Sequence, residues 1–368
     1  MKKDRILKKI YLGIRKAALS IPAILYPSGN NGFPQKDLVK RILVVSFDRI
    51  GDTVLAIPVF KALKKGFHEA QITFLHRPIT KDLVKQIPSI NKTILCIKKQ
   101  GLNISRIKRL REENFDLAVD LNSDYRIGSA LLISLSGARF KIGYDIGGRG
   151  FGFNYKVKPK KEKRHQVDIF LDIIAPLNID ISDRTPELHV LDRDKERITE
   201  LLRKEDVLNT DILVAVAPGG YYPSQCWNPK RFAETADIIS ERYNTKVVIV
   251  GDKNMAATYK EMLSAMKTDP VNMVNGLTLG ELSALFERCK IVLCNNSGPL
   301  HIAAAVNTPT VSMMGPTVPW QWWPIGNNHI VLRNDIDCSP CNRGDCKGHD
   351  CMEGITVKEV LDAIRRQF

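Results

Sequence analysis

Three loops in this chain carry residues able to hold an anion or move a proton, and each follows a short run of apolar, largely β-branched residues. The first is Lys290-Ile-Val-Leu-Cys294 running into Asn295, Asn296, Ser297 and Gly298, with Pro299 suited to a first helical position and a helix predicted through Val306. Such a start exposes unpaired backbone N–H groups and the positive end of the helix dipole, which stabilise an anion by about 0.3–1 kcal/mol, rising to about 2 when partly buried. Gly298 lets a ligand approach the backbone, and His301 lies one turn along. Read alone, the segment is equally an ordinary capped helix with a satisfied histidine.

The second loop follows Ile212-Leu-Val-Ala-Val-Ala217 and reads Pro218-Gly-Gly-Tyr-Tyr-Pro-Ser-Gln-Cys-Trp227. Gly219 and Gly220 expose backbone donors and Ser224 adds a hydroxyl, so this turn suits one side of a diphosphate while Ser297 and Gly298 suit the other. Trp227 reads as a packing residue. The third loop, Ser46-Phe-Asp-Arg-Ile-Gly-Asp-Thr53, follows Arg41-Ile-Leu-Val-Val45 and places Asp52 at the mouth of a sheet, just before a helix. A carboxylate there can take a proton from a hydroxyl within about 2.6–3.2 Å. It can also be only a helix N-cap, and the two roles are compatible. Asp48 is a weaker candidate for the same task.

Four of the eight cysteines lie together as Cys338, Cys341, Cys346 and Cys351 in a Pro/Gly-rich loop. The spacing permits a tetrahedral structural zinc, free thiols or disulfides, and it resembles a nucleic-acid-binding zinc knuckle with cysteine in the histidine position. Asp-x-Asp occurs at Asp192 to Asp194 and Asp335 to Asp337, but neither follows a clear strand in the cleft, so no metal-dependent reaction is read from them.

These loops need a scaffold, and 368 residues suffice for two domains. A hydrophobic fraction of 44% with 26% charged residues is that of a soluble globular protein. The net charge of +15 favours a polyanionic partner: nucleic acid, an anionic membrane surface or a phosphorylated substrate. At the amino end Ile6, Ile10 and Ile14 recur at helical spacing among Lys2, Lys3, Arg5, Lys8, Lys9, Arg15 and Lys16, a basic amphipathic pattern suited to a membrane surface. The run 17–26 is too short to span a bilayer. A cleaved signal peptide and a surface helix packed on the protein are the competing readings, and Pro22, Arg15 and Lys16 count against the former.

After this basic segment and linker (1–36), strand and helix patterns alternate. Strands are predicted at 41–46, 71–75, 93–97, 115–120 and 140–143, with helices at 54–65, 80–87, 104–113, 125–136 and 165–177. Residues 145–164 read as a loop. The pattern restarts with strands at 212–217, 246–250, 271–274, 290–294, 310–314 and 330–332 and helices at 229–242, 256–267 and 279–288. The boundary is expected near 188–208, giving an α/β architecture of two Rossmann-like domains, 37–190 and 205–354, with a closing helix in 355–368. Two such sheets would leave a cleft where the carboxyl ends of their strands meet.

Ile50-Gly-Asp-Thr-Val-Leu-Ala-Ile-Pro58, Ala217-Pro-Gly-Gly220 with Trp227 to Phe232, Leu277-Thr-Leu-Gly-Glu-Leu282, and Asn296-Ser-Gly-Pro-Leu-His-Ile-Ala-Ala304 with Gly315-Pro-Thr317 together resemble the family 9 glycosyltransferases, the lipopolysaccharide heptosyltransferases and their relatives. The resemblance spans roughly residues 38–367 in the right order. It implies a B-type glycosyltransferase fold, with acceptor bound mainly by the first domain and nucleotide-sugar by the second, and inversion at the anomeric carbon without metal or other cofactor.

Asp52 matches the family's general base. Arg49 and Gly51 are expected at the acceptor, and Gly219, Gly220, Ser224, Gln225, Asn296, Ser297, Gly298 and His301 at the donor. Two positions depart from the pattern: Gln225 stands where a lysine is usual and Asn296 where an aspartate is usual. Clusters similar to the four cysteines recur at this place in the family, and the resemblance therefore implies that the cluster is structural and remote from the chemistry. The implied partners are a nucleotide-diphosphate sugar, ADP-heptose first, an acidic lipid-linked saccharide and an anionic membrane surface, on the cytoplasmic side of the inner membrane. A non-catalytic nucleotide-sugar binder is one rival. The other is a nucleic-acid-binding module, which leaves Asp52 and both phosphate-suited turns without a purpose.

Overall fold

The computed structural model describes residues 11–13, 15, 34–96 and 104–368. The expected basic amphipathic segment therefore lies mostly outside the described residues. Of it, Tyr11 to Gly13 and Arg15 are helical, and the Arg15 guanidinium donates to the carbonyls of Gly147 (2.8 Å from Nε) and Tyr125 (2.6 Å).

The described residues up to Val84, together with Pro88–Arg184, form one compact unit, and Lys85–Ile87 with Thr185–Phe368 form the other. The first holds β1 (Arg41–Val45), β2 (Gln71–His76), β3 (Lys92–Leu95), β4 (Leu117–Asp120), β5 (Phe140–Tyr144) and β6 (Tyr155–Val157), in the order β3-β2-β1-β4-β5-β6. The second holds β7 (Ile212–Ala217), β8 (Thr245–Gly251), β9 (Val271–Val274), β10 (Ile291–Asn295), β11 (Thr310–Met313) and β12 (His329–Leu332), in the order β12-β11-β10-β7-β8-β9. Every pairing is parallel.

The central strands are continuous apolar runs because helices cover both faces of a parallel sheet. β10 is buried at all its positions, and β1 and β7 at all but their first residue. In the second unit the core includes Val214, Leu293, Trp227, Phe232 and Met262, and the closing helix Val357–Arg365 adds Val360, Ala363 and Ile364 to it. Each fully buried large apolar side chain contributes about 1.5–3 kcal/mol.

Both sheets start in the middle, extend one way, then return to extend the other way, so each has one point where adjacent strands send their following loops to opposite sides. In such sheets ligands bind just outside the carboxyl ends of the strands at that point. In the first sheet it lies between β1 and β4; the loop after β1 carries Asp48 and leads into the helical turn that holds Asp52, and the loop after β4 carries Asn122 to Arg126. In the second it lies between β7 and β10, whose following loops carry Gly219 to Trp227 and Asn296 to Gly298.

The structure corrects several local expectations. The stretch 145–164 contains β6, a three-residue edge strand exposed enough to keep lysine-rich surroundings. The expected boundary region 188–208 contains the helix Asp192–Lys204, in which only Ile198 and Leu202 are buried, a stripe too narrow to stand out from its charges. The helix expected at 54–65 starts at Ile50 and breaks at Ala56 into Ile50–Leu55 and Ile57–Gly66, with Pro58 near the start of the second piece. That expected at 80–87 is a single turn, Lys81–Val84.

Candidate functional site

In the first unit Asp52 lies inside the helix Ile50–Leu55, at its third position, rather than before it. Arg49 occupies the N-cap position, and its backbone N–H donates to the Asp52 carboxylate at 3.1 Å. The carboxylate thus helps close the first turn while standing at the end of β1, with Gly51 beside it. Burial raises the Asp52 pKa, opposed by the Arg49 N–H and by the charges of Arg49 and Arg126. Asp48 is pushed up to about 7, first by burial and then by the nearby Asp52, with Arg126 opposing. The Arg126 guanidinium meets Asp48 at 2.9 Å and also pairs with Asp124. Two carboxyl groups this strongly interacting titrate as a pair, one of them holding a proton into the neutral range.

A network that the sequence reading missed fixes this pair. Asp120, the last residue of β4, is fully buried and accepts from Arg149, from Ser129 Oγ at 2.9 Å and from the Asn122 backbone N–H at 3.0 Å. Asn122 in turn accepts from the Phe47 N–H at 3.1 Å, stitching the loop after β4 to the loop after β1. Arg149 also donates to the Asn122 and Asp124 carbonyls, so the turn presenting Arg126 to Asp48 rests on a buried guanidinium.

In the second unit the loop after β7 is held against β10 by Asn295, which the sequence reading named only among the residues following the strand and which is the strand's last residue. Its Nδ2 donates to the Pro218 carbonyl at 2.7 Å, and its Oδ1 accepts from the Trp227 N–H at 2.9 Å. Gly219 and Gly220 lie in close approach to neighbouring side chains. A Cβ at Gly219 would lie 2.8 Å from the Tyr259 hydroxyl, and one at Gly220 would lie 2.9 Å from Cys226 Sγ. Trp227 is fully buried, donates from Nε1 to the Ile355 carbonyl at 2.9 Å and meets the Phe232 ring edge-on, which makes it the packing residue expected.

Ser224 is buried, and its hydroxyl donates to the Arg343 carbonyl at 2.6 Å. That proton is committed, so here Ser224 fastens the loop rather than offering an anion a donor. Gln225 donates from Nε2 to Thr317 Oγ1 at 3.2 Å and accepts from the Tyr222 N–H at 3.3 Å, linking the loop to the Gly315-Pro-Thr317 segment. Ser297 is the N-cap residue of the helix Gly298–Ala305, but its side chain turns back to the Asn295 carbonyl at 3.3 Å and makes no capping bond. The first-turn N–H groups are thereby left without a side-chain acceptor. His301 is buried in that turn. Asn296 is 7% exposed, and its Nδ2 has no hydrogen-bond partner. A buried amide N–H₂ left unmatched costs about 1–3 kcal/mol, so a polar ligand group that accepts from it recovers that energy.

Among the described residues no three His, Cys, Asp or Glu side chains gather so as to hold a metal, and all four clustered cysteines are free, one of the three states that their spacing permits. Cys338 and Cys341 are exposed, whereas Cys351 is buried in the apolar core against Gly315. Burial pushes the Cys351 thiol up, and the other three cysteines add to the shift. Nor is the loop remote. Ser339 Oγ donates to the Gly315 carbonyl at 2.9 Å, the Cys341 and Asn342 N–H groups donate to the Pro316 carbonyl, and Gly344 packs so closely on Tyr222 that a Cβ would sit 2.7 Å from its ring.

The model for glycosyltransferase family 9 (heptosyltransferase) matches residues 104–351. The chain is 29% identical to lipopolysaccharide heptosyltransferase 3 of Escherichia coli over 293 residues, covering 76% of this chain and 85% of that protein. Its fold is similar to the solved family 9 glycosyl transferase from Veillonella parvula, with a TM-score of 0.80 at 23% identity over 91% of this chain and 98% of that one. It is also similar to the E. coli ADP-heptose lipopolysaccharide heptosyltransferase II, with a TM-score of 0.75 at 21% identity over 89% and 98%.

Proposed function

The chain belongs to glycosyltransferase family 9, and from that premise we propose that this glycosyltransferase moves a heptose from an ADP-linked donor onto an acidic lipid-linked saccharide of the lipopolysaccharide core type. The observation that carries the donor half is the buried, unmatched amide of Asn296 at the start of a helix whose first-turn N–H groups have no side-chain cap. The names of the E. coli relatives supply the sugar, the nucleotide and the acceptor class.

In the proposed reaction Asp52 accepts the proton of an acceptor hydroxyl as its oxygen attacks the anomeric carbon. The bond from that carbon to the diphosphate oxygen breaks, the electron pair leaves with the diphosphate, and the centre inverts. Oriented donors at a departing oxyanion give the largest single gain in such transfers. Asn296, the Gly298 backbone and the Gly219–Gly220 turn take that role, with Ser297 and His301 shaping the pocket. Gln225 and Ser224 hold the loop, and Arg49 and Gly51 flank the acceptor. The proposed reaction uses no metal.

No helix among the described residues is long and apolar enough to cross a membrane. We place the enzyme on the cytoplasmic face of the inner membrane, held to anionic lipid by its basic amino end, each basic residue there contributing about 1 kcal/mol. The test is to incubate wild type and Asp52→Ala with a panel of nucleotide-sugars and truncated lipopolysaccharide acceptors. A mass gain of one heptose, dependent on ADP-heptose and lost in the variant, is expected. Product from the variant at the wild-type rate would remove Asp52 from the mechanism, and product only with another donor would overturn the heptose assignment.

A further inference from the structure

Two guanidinium groups hold the loop after β4 by its carbonyls. One is the buried Arg149, which donates to Asn122 and Asp124. The other, half-buried, belongs to Arg15 in the helical amino-terminal segment: Nη2 donates to the Tyr125 carbonyl at 2.6 Å and Nε to the Gly147 carbonyl at 2.8 Å. Gly147 has φ +56°, and a Cβ on it would lie 2.8 Å from Arg15 Nη2 and 3.0 Å from Leu12 Cδ2, so the segment fills the space that a side chain at 147 would need. The residue after Tyr125 is Arg126, which meets Asp48 at 2.9 Å with 58% of its side chain exposed. An arginine so open to water is held where the backbone beneath it puts it.

We propose that Arg15 is a positioning residue for the transfer reaction: by clamping the Tyr125 and Gly147 carbonyls together it keeps Arg126 against Asp48, the neighbour of the proton acceptor Asp52. A planar guanidinium can serve two carbonyls at once, whereas an ammonium is a point charge. Asp48 and Asp52 are faced by Arg49 from the loop after β1, by Arg126 and Asp124 from the loop after β4, and by Asp120 from the end of β4. Arg49 and Asp120 have anchors of their own, the N-cap position and Arg149. Arg126 and Asp124 adjoin the Arg15 clamp, and at Asp48 the effect of Arg126 is the larger of the two. Releasing the clamp therefore withdraws positive charge from the carboxyl pair and favours its protonated form.

The inference rests on the reading of Asp52 above, and its test separates the two. The pH profile of kcat/KM with ADP-heptose and a truncated lipopolysaccharide acceptor is measured on the full chain for wild type, Arg15→Ala, Arg15→Lys, Arg126→Ala and the double variant Arg15→Ala/Arg126→Ala, with urea unfolding midpoints for each. Arg15→Ala is expected to move the acidic limb up by about 0.3–1 pH unit, with Arg15→Lys between it and wild type. The double variant should match Arg126→Ala, because Arg15 acts through Arg126. Additive shifts, or Arg15→Lys equal to wild type, would assign the effect to the charge of Arg15 alone and overturn the inference. So would an unmoved limb, and one accompanied by a lowered midpoint would show that Arg15 serves stability only. A wild type that forms no product would overturn the reading of Asp52 and this inference with it.

Discussion

Arg149 and Asp120 form an ion pair in which neither side chain has any solvent exposure, at the carboxyl end of β4 and under the turn that presents Arg126 to Asp48. Removing one member of a buried pair strands the other charge, which costs about 3–5 kcal/mol. Arg149→Met is therefore expected to lower unfolding free energy by that amount in urea titrations. A loss within about 1 kcal/mol, the range of exposed pairs, would show that the pair does not carry this turn.

The Asp48–Asp52 pair sets a pH dependence. Both pKa values are raised, Asp48 to about 7, so activity requiring an ionised Asp52 is expected to climb through the acidic and neutral range. Arg126 lowers both, so Arg126→Ala should move the acidic limb of kcat/KM to higher pH. Asp48→Asn should turn a two-proton limb into a one-proton limb and, by removing the neighbouring carboxyl group, leave Asp52 to titrate alone. An unmoved limb in Arg126→Ala would separate these charges from the reaction. The native state holds the extra proton, so the pair's effect on stability is most favourable at low pH and is lost as pH rises from about 4 to about 7.

Tyr259 fills the space over two glycines at neighbouring strand ends, and a Cβ at Gly251 would lie 1.6 Å from its hydroxyl oxygen. Burial pushes that phenol up to about 12, so it stays protonated. Gly251→Ala must displace the ring and is expected to cost about 1–3 kcal/mol. Adding Tyr259→Leu should recover part of this in thermal melts, and a double variant no better than the single would place the strain elsewhere.

Thiol labelling under native conditions should mark Cys338 and Cys341 first, since both are exposed. Cys294 is fully buried and Cys289, also buried, is pushed up to about 12, so both should react only after unfolding. Peptide mass mapping after a short exposure to maleimide reads the order directly, and early labelling of Cys294 would contradict the packing of β10.

What was readable beforehand follows burial. Ile212–Ala217 and Ile291–Asn295 lie between two covered faces, so selection for apolar, β-branched residues left an unbroken signal. Tyr155–Val157 sits at a sheet edge with its middle residue exposed, where lysine is as acceptable as valine. The chemistry-bearing turns were visible because glycine, proline and acid fall together within a few residues. Their supports were not. Asp120 and Arg149 are 29 positions apart, and Ser224 and Arg343 are 119 apart, so only the folded backbone brings each pair together.

The Ser224–Arg343 bond and the Trp227–Ile355 bond also impose an order on biosynthesis. Domains fold as they leave the ribosome, at about 5–20 residues per second. The turn after β7 is made more than a hundred residues before the segments that clasp it, so it stays unfastened until residues 343–355 have been synthesised. On the proposed reading, a nascent chain that has not yet reached those residues carries Asp52 in a finished first unit beside an unfastened donor loop, and is expected to leave donor unconsumed.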